Sequence, residues 1–322
     1  MKEKIVHVLG RGEIVFTLLF LVFYVVFSNI ATGFFSLSMF HIILLTGAEL
    51  AIIAIGMSLL IISGEIDLSV ASVFVFSTFI TLTAANRGLP FPLAALLALA
   101  CGCSIGFLNG FITLRFQVPS FIVTLGGLLF WRALVAGITY GEPTLYKGEP
   151  SLLLNSLGGK VGFVPALFFW FLGLAVIFTI TLTRTRFGNW VFAAGGDKET
   201  ARALGVRVDR VKLACFMITS TLAAFAGVAY IGGSSYLDPI VATGVELEAI
   251  ASVVMGGILF SGGAGNLVNA IICAFILKEV QVGMGVYGIP VVYYKVAIGA
   301  LLILTVIGNR QIIRRITKGT QV

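Results

Sequence analysis

Apolar residues fill long uninterrupted runs along most of this chain, and charged residues are confined to short stretches between the runs. A helix needs about 20 apolar residues to cross roughly 30 Å of hydrocarbon. The pattern therefore predicts an all-α protein that crosses a membrane many times. Uncharged runs of this order are Ile14–Ala48, Leu68–Asn86, Gly88–Leu114, Val161–Thr183, Leu213–Leu237 and Ala249–Leu277.

The distribution of basic residues predicts how these runs are threaded. Cytoplasmic loops of membrane proteins carry an excess of Lys and Arg. One threading places fifteen of the 21 basic residues on a single side: Lys2, Lys4, Arg11, Arg115, Arg184, Arg186, Lys198, Arg202, Arg207, Arg210, Lys212, Arg310, Arg314, Arg315 and Lys318. It uses ten spans, near 14–34, 40–62, 67–86, 91–114, 118–140, 163–183, 212–231, 245–260, 266–283 and 290–308. Both termini and segment 184–210 are then cytoplasmic, and segment 141–162 is periplasmic, within one transmembrane domain of residues 1–322.

Composition agrees with a membrane protein. Hydrophobic residues make up 59% of the chain and charged residues 11%, against about 25% charged in soluble domains. The net charge of +7 follows from the basic inner loops, so we expect no nucleic-acid partner. The four cysteines lie in apolar segments without histidines at metal-binding spacing, so we expect no metal site.

Two groups stand out among the 38 glycines. Gly102, Gly106 and Gly110 are four residues apart and share one helix face, which favours close helix packing. Other glycines cluster in two breaks between apolar helices, at 62–67 and 255–265. Breaks of this kind either form tight turns at the inner face or line a translocation pathway in transporters. Both interpretations stay open from the sequence.

The basic segment 184–210 predicts a short capped helix. Asp197 is a good N-cap, residues 198–204 are helix formers, and Gly205 is a C-cap. Such a charged helix, parallel to the inner face, suits a docking element for a cytoplasmic partner. The alternative is an interfacial helix that only anchors the loop.

At this point the chain resembles the membrane permease subunits of bacterial ABC importers for monosaccharides, the ribose, xylose, arabinose and galactose group. The resemblance runs from about Ala48 to Val306. It is carried by GMS and GEIDLSV within 56–70, VPSFIVTLGG at 118–127, AAGGDKETARALGV within the basic loop at 193–206, and GVELEAIASVVMGG at 244–257. Asp197 stands where the family usually has Asn, and Arg202 stands in place of the second Ala of the family's loop.

The resemblance implies a set of partners: a second permease copy, cytoplasmic ATP-binding subunits and a periplasmic sugar-binding protein. ATP and Mg²⁺ would be bound by the partner ATPase, and this chain would be neither an enzyme nor a cofactor binder. The chain indeed contains no Gly-x4-Gly-Lys-Ser/Thr phosphate loop. The residues expected to contact the ATPase are Gly196, Asp197, Lys198, Glu199, Ala201, Arg202 and Gly205.

Ionisable, polar and aromatic residues in or beside spans, and one glycine of the first break, are candidates for the pathway or its gate, because polar groups and helix breaks inside a membrane are expensive. They are Glu49, Gly64, Glu65, Asp67, Asn109, Trp131, Glu246, Glu248, Lys278 and Lys295. Five of them also have a structural interpretation. Asp67, Glu246 and Glu248 suit helix capping. Asn109 suits an interhelical hydrogen bond, and Trp131 suits an interfacial belt. We expect Lys278 or Lys295 to meet a carboxylate such as Glu49 or Glu279.

Three other functions remain alternatives for this sequence. A permease for branched-chain amino acids, nucleosides or a sugar-like signal molecule shares the broad organisation. A secondary transporter would need mid-membrane acidic residues, which only Glu49 and Glu279 approach. A membrane enzyme would need a cluster of reactive side chains, but the chain has only two histidines and no evident nucleophile–base pair.

Overall fold

The computed structural model describes residues 12–319, with the backbone alone at 305, 306 and 308–319. Lys2, Lys4 and Arg11 therefore lie outside the described residues, as do the side chains of Arg310, Arg314, Arg315 and Lys318. The described part forms thirteen helices, which confirms the all-α membrane fold. They are α1 (Gly12–Ile30), α2 (Leu37–Ile62), α3 (Val70–Asn86), α4 (Phe91–Phe116), α5 (Ser120–Thr139), α6 (Leu152–Gly158), α7 (Ala166–Arg184), α8 (Arg186–Gly196), α9 (Lys198–Ala203), α10 (Val208–Ser234), α11 (Val245–Met255), α12 (Leu267–Tyr287) and α13 (Val291–Gly319).

Each predicted span coincides with one of these helices, but they differ in length. Seven are long and apolar enough to cross a membrane: α1, α2, α4, α5, α7, α10 and α12. Shorter apolar helices are α3 and the 291–304 part of α13, and α11 has only 11 residues. A count of ten crossings therefore stays a prediction.

Helix α10 is the centre of the bundle, packed by α2, α3 and α4. The predicted packing face of α4 is confirmed, because Gly102, Gly106 and Gly110 all lie against α10. A Cβ at Gly106 would lie 2.9 Å from the Met217 Cα atom, so only glycine allows this approach. The Thr219 hydroxyl donates to the Gly56 carbonyl of α2 at 2.9 Å, which adds a polar contact to the packing.

The connecting segments gather at two opposite ends of the bundle. At one end, two short antiparallel pairings form: β1 (Thr144–Leu145) with β4 (Tyr236–Leu237), and β2 (Lys160–Val161) with β3 (Val164–Pro165). This end contains segment 141–162, in which α6 is a helix that the sequence did not predict.

At the other end, which we call the junction end, the two glycine breaks, the α4–α5 turn and segment 184–210 meet. Helix α1 also begins here, since Asn266, which follows the second break and caps α12, donates to the Glu13 carboxylate at 2.6 Å. These contacts agree with the predicted threading, which places the start of α1 and segment 184–210 on one side and segment 141–162 on the other.

Candidate coupling site and intramembrane charges

The predicted capped helix forms at the junction end as α9. The Asp197 carboxylate accepts the Glu199 and Thr200 amides at 3.0 and 3.2 Å, which satisfies donors that a helix start otherwise leaves unpaired. Its second oxygen accepts the Thr200 hydroxyl at 2.7 Å. The hydrogen bonds from Thr200 and Glu199 hold the pKa of the Asp197 carboxyl below its usual range. The cap is therefore charged at neutral pH.

The far end of α9 is closed by Gly205. Its φ of +84° lies in the left-handed region, where glycine is favoured. The Gly205 and Val206 amides donate to the Arg202 and Ala201 carbonyls at 2.9 and 3.0 Å, the pairing of a Schellman motif. The helix itself ends at Ala203, one residue before the predicted end. Both of its ends are fixed by residues of its own loop.

Helix α9 exposes charges of both signs. Ala201 is buried, whereas Lys198, Glu199 and Arg202 are exposed. The Arg202 guanidinium contacts the carboxylates of Glu199 at 3.5 Å and Asp209 at 2.8 Å. Exposed pairs of this kind contribute little stability, about 0–1 kcal/mol, so their main effect is to orient the side chains. Residues of α9 also line a cleft of about 560 Å³ with the α4–α5 turn.

Five glycines, Gly64, Gly195, Gly196, Gly262 and Gly263, form a close backbone contact that we call the glycine junction. A Cβ at Gly195 would collide with the Ile62 carbonyl oxygen and lie 2.8 Å from the Gly263 nitrogen. The Gly263 amide donates to the Ile62 carbonyl at 2.8 Å. The junction therefore joins both glycine breaks to the residues that lead into α9.

The first break is also held by a salt bridge. The Lys212 ammonium at the start of α10 lies 2.7 Å from the Glu65 carboxylate, and the two side chains are only 10% and 16% exposed. Both residues line the cleft beside α9. Glu65 thus connects the break to the segment that follows α9. The sequence did not predict this partner.

Asp67 lies in a buried polar cluster. Its carboxylate accepts the Ser69 amide and hydroxyl at 2.7 and 2.6 Å and the Ser220 hydroxyl at 3.2 Å. Asn109 of α4 donates to the Ser69 hydroxyl at 2.9 Å, which is the predicted interhelical hydrogen bond. The cluster fixes the turn into α3 against α4 and α10. The N-cap of α3 is Ser69, so Asp67 does not cap the helix as expected but holds the turn before it, with both carboxylate oxygens accepting hydrogen bonds.

Within the helices, Lys278 of α12 forms an ion pair with Glu248 of α11 at 2.5 Å, and both are buried. The expectation of a carboxylate partner is confirmed for Lys278, but naming Glu49 or Glu279 as that partner was wrong. Glu49 lines a cavity of about 150 Å³ with Lys278 and Tyr230. Glu279 is fully buried, and neither of its carboxylate oxygens has a hydrogen-bond partner among the described residues.

The remaining candidates lie near the opposite end. Glu246 accepts the Gly244 amide at 3.2 Å, which agrees with the capping interpretation. Lys295 is exposed on α13. Trp131 is partly buried and packs on Phe76 with ring centroids 4.9 Å apart.

Two features of the junction end were missed from the sequence. One is α8, a separate helix whose N-cap, Thr185, accepts the Gly188 amide at 3.3 Å. Thr185 followed by apolar residues at 187, 191 and 194 is the signal that could have revealed it. The other is the meeting of the two glycine breaks, for which the local sequence carries no signal.

Comparison with known proteins identifies the family. The model of the branched-chain amino acid transport system permease component matches residues 39–306. The chain is 35% identical over 280 residues to the inner membrane ABC transporter permease protein YjfF of Escherichia coli, covering 84% of this chain and 83% of that protein.

Two relatives carry sugar names. The xylose/arabinose import permease protein XylH of Sulfolobus acidocaldarius is 35% identical over 271 residues, 81% of this chain and 74% of that protein. The ribose import permease protein RbsC of Escherichia coli is 32% identical over 289 residues, 88% and 89% of the two chains. The resemblance stated from the sequence is thereby confirmed. The chain belongs to the family of branched-chain amino acid transport system permease components of ABC transporters.

Proposed function

We propose that the chain is the membrane permease subunit of an ATP-driven importer that carries a monosaccharide across the inner membrane. The observation that carries the proposal is α9, an exposed helix capped at both ends, in a chain whose relatives include import permeases for ribose and for xylose and arabinose. Relatives named for autoinducer 2 support a sugar-like signal molecule as the second candidate substrate. The family's description makes branched-chain amino acids the third candidate substrate.

In this proposal α9 is the helix on which a cytoplasmic ATP-binding subunit docks. Lys198, Glu199 and Arg202 supply both signs of charge on its exposed surface. Complementary charges set the register of a docked partner more than they set its affinity. ATP and Mg²⁺ act on the partner subunit, and this chain receives the motion. Segment 184–210 and both termini are then cytoplasmic, with segment 141–162 on the periplasmic side.

The glycine junction is the route by which that motion reaches the helices. Gly195 and Gly196 lead directly into Asp197, the cap of α9, and they contact both breaks through backbone atoms. A displacement of α9 therefore acts on the ends of α2 and α11 without a flexible side chain in between. Close-packed contacts of this kind transmit small shifts between discrete arrangements.

A complete importer also needs a second permease copy and a periplasmic binding protein. The cavity beside Glu49 and Lys278 has a volume of only about 150 Å³, whereas pockets that hold small ligands are about 300–1,000 Å³. In our proposal, passage of a sugar therefore needs helix displacement. The residues proposed for the pathway or its gate are Glu49, Gly64, Glu65, Asp67, Asn109, Trp131, Glu246, Glu248, Lys278 and Lys295.

Reconstitution tests the proposal. The chain is purified with an ATPase encoded beside it and the matching binding protein, and ATP hydrolysis is measured with ribose, xylose, autoinducer 2 and leucine. We expect one of the sugars to stimulate hydrolysis and to be taken up only with ATP. Stimulation by leucine alone would contradict the sugar assignment and leave the importer class intact.

Variants of α9 test the docking step. Glu199→Lys and Gly205→Val should abolish uptake while leaving the chain in the membrane, because the first reverses a docking charge and the second strains the helix end. Lys147→Glu, a charge reversal in segment 141–162, serves as the control and should keep ATPase binding. Normal uptake by both α9 variants, with the ATPase still bound, would show that the loop is only an anchor.

One observation favours a second class, an ion-coupled secondary transporter. Glu279 is a fully buried carboxyl group without a hydrogen-bond partner among the described residues, and intramembrane carboxyl groups can carry protons in transporters. Uptake into vesicles driven by a pH gradient, without ATP or ATPase, would support that class and contradict the importer. Uptake that survives Glu279→Gln and needs ATP would exclude a coupling role for this residue.

A further inference from the structure

A basic pocket opens at the junction end, between α8 and the start of α10. Its volume is about 390 Å³, and its lining includes Arg207, Arg210 and Trp190. All three side chains are exposed, and neither arginine has an ion pair with any described residue, since nearby Asp209 is taken by Arg202. The pocket therefore offers two unneutralised guanidinium groups beside an aromatic ring.

The pocket continues from the surface into the helix bundle. Ala214 lines both this pocket and a second cavity of about 500 Å³ that runs between α7, α10 and α4. Apart from Thr221 and Cys103, the lining of the second cavity is hydrophobic, with Leu174 and Phe178 on α7 and Met217 and Phe225 on α10 among its residues. Arg210, Ala214, Met217, Thr221 and Phe225 follow one face of α10 at helical spacing. A charged mouth thus continues into an apolar groove along two predicted membrane-spanning helices.

The groove faces the lipid side of the bundle. The neighbouring ridge of α7 is exposed at Leu172, Val176 and Ile180, with relative exposures of 41%, 57% and 52%. A water-soluble subunit cannot reach an apolar groove at membrane depth. Trp190 beside the mouth suits the headgroup level of a bilayer, where tryptophan is enriched. The occupant must therefore combine an anionic group with an apolar chain.

We propose that this groove binds an anionic phospholipid, with Arg207 and Arg210 holding the phosphate headgroup and the α7–α10 groove holding an acyl chain. Basic pockets between membrane helices on the cytoplasmic side bind anionic headgroups in this way. Gly205, which closes α9, lines the same pocket, so the lipid lies directly beside the end of the proposed docking helix. Only the assignment to the inner leaflet rests on the orientation in the proposed function.

Native mass spectrometry of the purified chain tests the site. The protein is exchanged into detergent containing equal amounts of phosphatidylglycerol and phosphatidylcholine with identical acyl chains, and retained lipid is counted. The wild-type chain should retain phosphatidylglycerol preferentially. Arg207→Gln with Arg210→Gln should lower that preference about thirtyfold, and each single change about fivefold, because one surface cation contributes about a factor of five.

Arg184→Gln with Arg186→Gln is the matched control, since both arginines are exposed in the same loop region but do not line the pocket. The control should keep the wild-type preference within twofold. Ala214→Phe should lower retention of both lipids, because it fills the passage from the mouth to the groove. This variant and the single arginine variants decide the test if the double variant does not purify.

Three results would overturn the proposal. The first is a double variant that keeps the wild-type preference. The second is a control pair that loses as much preference as the double variant, which would indicate diffuse surface charge. A wild-type chain that retains no phosphatidylglycerol and is instead found only as a dimer would indicate that a second copy covers the groove. None of these results bears on whether the transported solute is a sugar.

Discussion

The two glycine breaks meet at one junction but are held in different ways. The first, between α2 and α3, is fixed at the turn itself by the Glu65–Lys212 ion pair and by the buried hydrogen bonds of Asp67. The second, between α11 and α12, contacts the junction mainly through Gly262 and Gly263. Its side-chain contacts with charged groups lie outside the turn itself. Glu248 pairs with Lys278 between the two helices, and Asn266, at the start of α12, donates to Glu13 of α1.

The difference indicates how the two breaks behave when α9 is displaced. Side-chain contacts to α4 and α10 hold the first break in place. The second has backbone packing and short hydrogen bonds at the turn, while its flanking helices are clamped to each other. We therefore expect the second break to move as a unit against the first.

The largest effect is expected from Lys278→Met, which leaves Glu248 buried without its partner. Breaking a buried ion pair in this way costs about 3–5 kcal/mol. The free energy of unfolding in mixed SDS–detergent micelles measures the loss. Adding Glu248→Gln should restore part of it. If the single variant is as stable as the wild-type protein, the pair does not clamp α11 to α12.

A smaller loss is expected from Gly195→Ala, because the new Cβ overlaps the Ile62 carbonyl oxygen. Overpacking of this kind costs about 1–3 kcal/mol. Gly173→Ala on α7 is the control, since its Cβ meets nothing within 4 Å and alanine favours a helix. The loss of uptake in Gly195→Ala should exceed its loss of folded protein. If the two variants show the same uptake per amount of folded protein, the glycine junction has no role in transport.

Lys212→Met measures how much the Glu65–Lys212 ion pair stabilises the fold, for comparison with the Glu248–Lys278 pair. Glu65 is 16% exposed at the junction end and retains some access to water, whereas Glu248 is 8% exposed within the bundle. The cost should therefore lie between the roughly 1 kcal/mol of exposed pairs and the 3–5 kcal/mol of buried ones. The same micelle titration measures it. A loss of stability larger than that of Lys278→Met would contradict our expectation that the Glu65–Lys212 pair contributes less than the Glu248–Lys278 pair.

The smallest effect concerns the cap of α9. Asp197→Ala should weaken hydrogen-exchange protection at residues 201–204, while Asp197→Asn should preserve it, because asparagine caps a helix about as well. The lowered pKa of Asp197 means that the charged cap is stabilising above its ordinary pKa, near 4, and is lost only as the pH falls through the lowered value. Protection should therefore not change between pH 7 and 5. A loss within that window would contradict the cap.

Local features of this fold could be predicted, because their determinants lie within a few residues. Asp197 and Gly205 define the helix between them through capping, and the glycine spacing of α4 identifies the face that meets α10. The ten predicted spans fall on helices for the same reason, since each is an apolar run with polar ends.

Long-range pairs could not be predicted in the same way. Lys278 could meet any carboxylate at a similar depth, and nothing near it in the sequence favours Glu248 over Glu49 or Glu279. Glu65 and Lys212 are 147 residues apart, and only the packing of α2 against α10 brings them together. The glycine junction also depends on tertiary packing. These features make up most of the proposed coupling route.

Cysteine accessibility tests the central claim, that α9 is the docking helix on the cytoplasmic side, most directly. Lys198→Cys and Lys147→Cys are made singly, with the four native cysteines replaced, and labelled with a membrane-impermeant maleimide with and without the bound ATPase. The account predicts that position 198 is labelled only from the cytoplasmic side and is protected by the ATPase. Position 147 should be labelled from outside and be unaffected. Labelling of both positions from the same side, or no protection at position 198, would contradict the account.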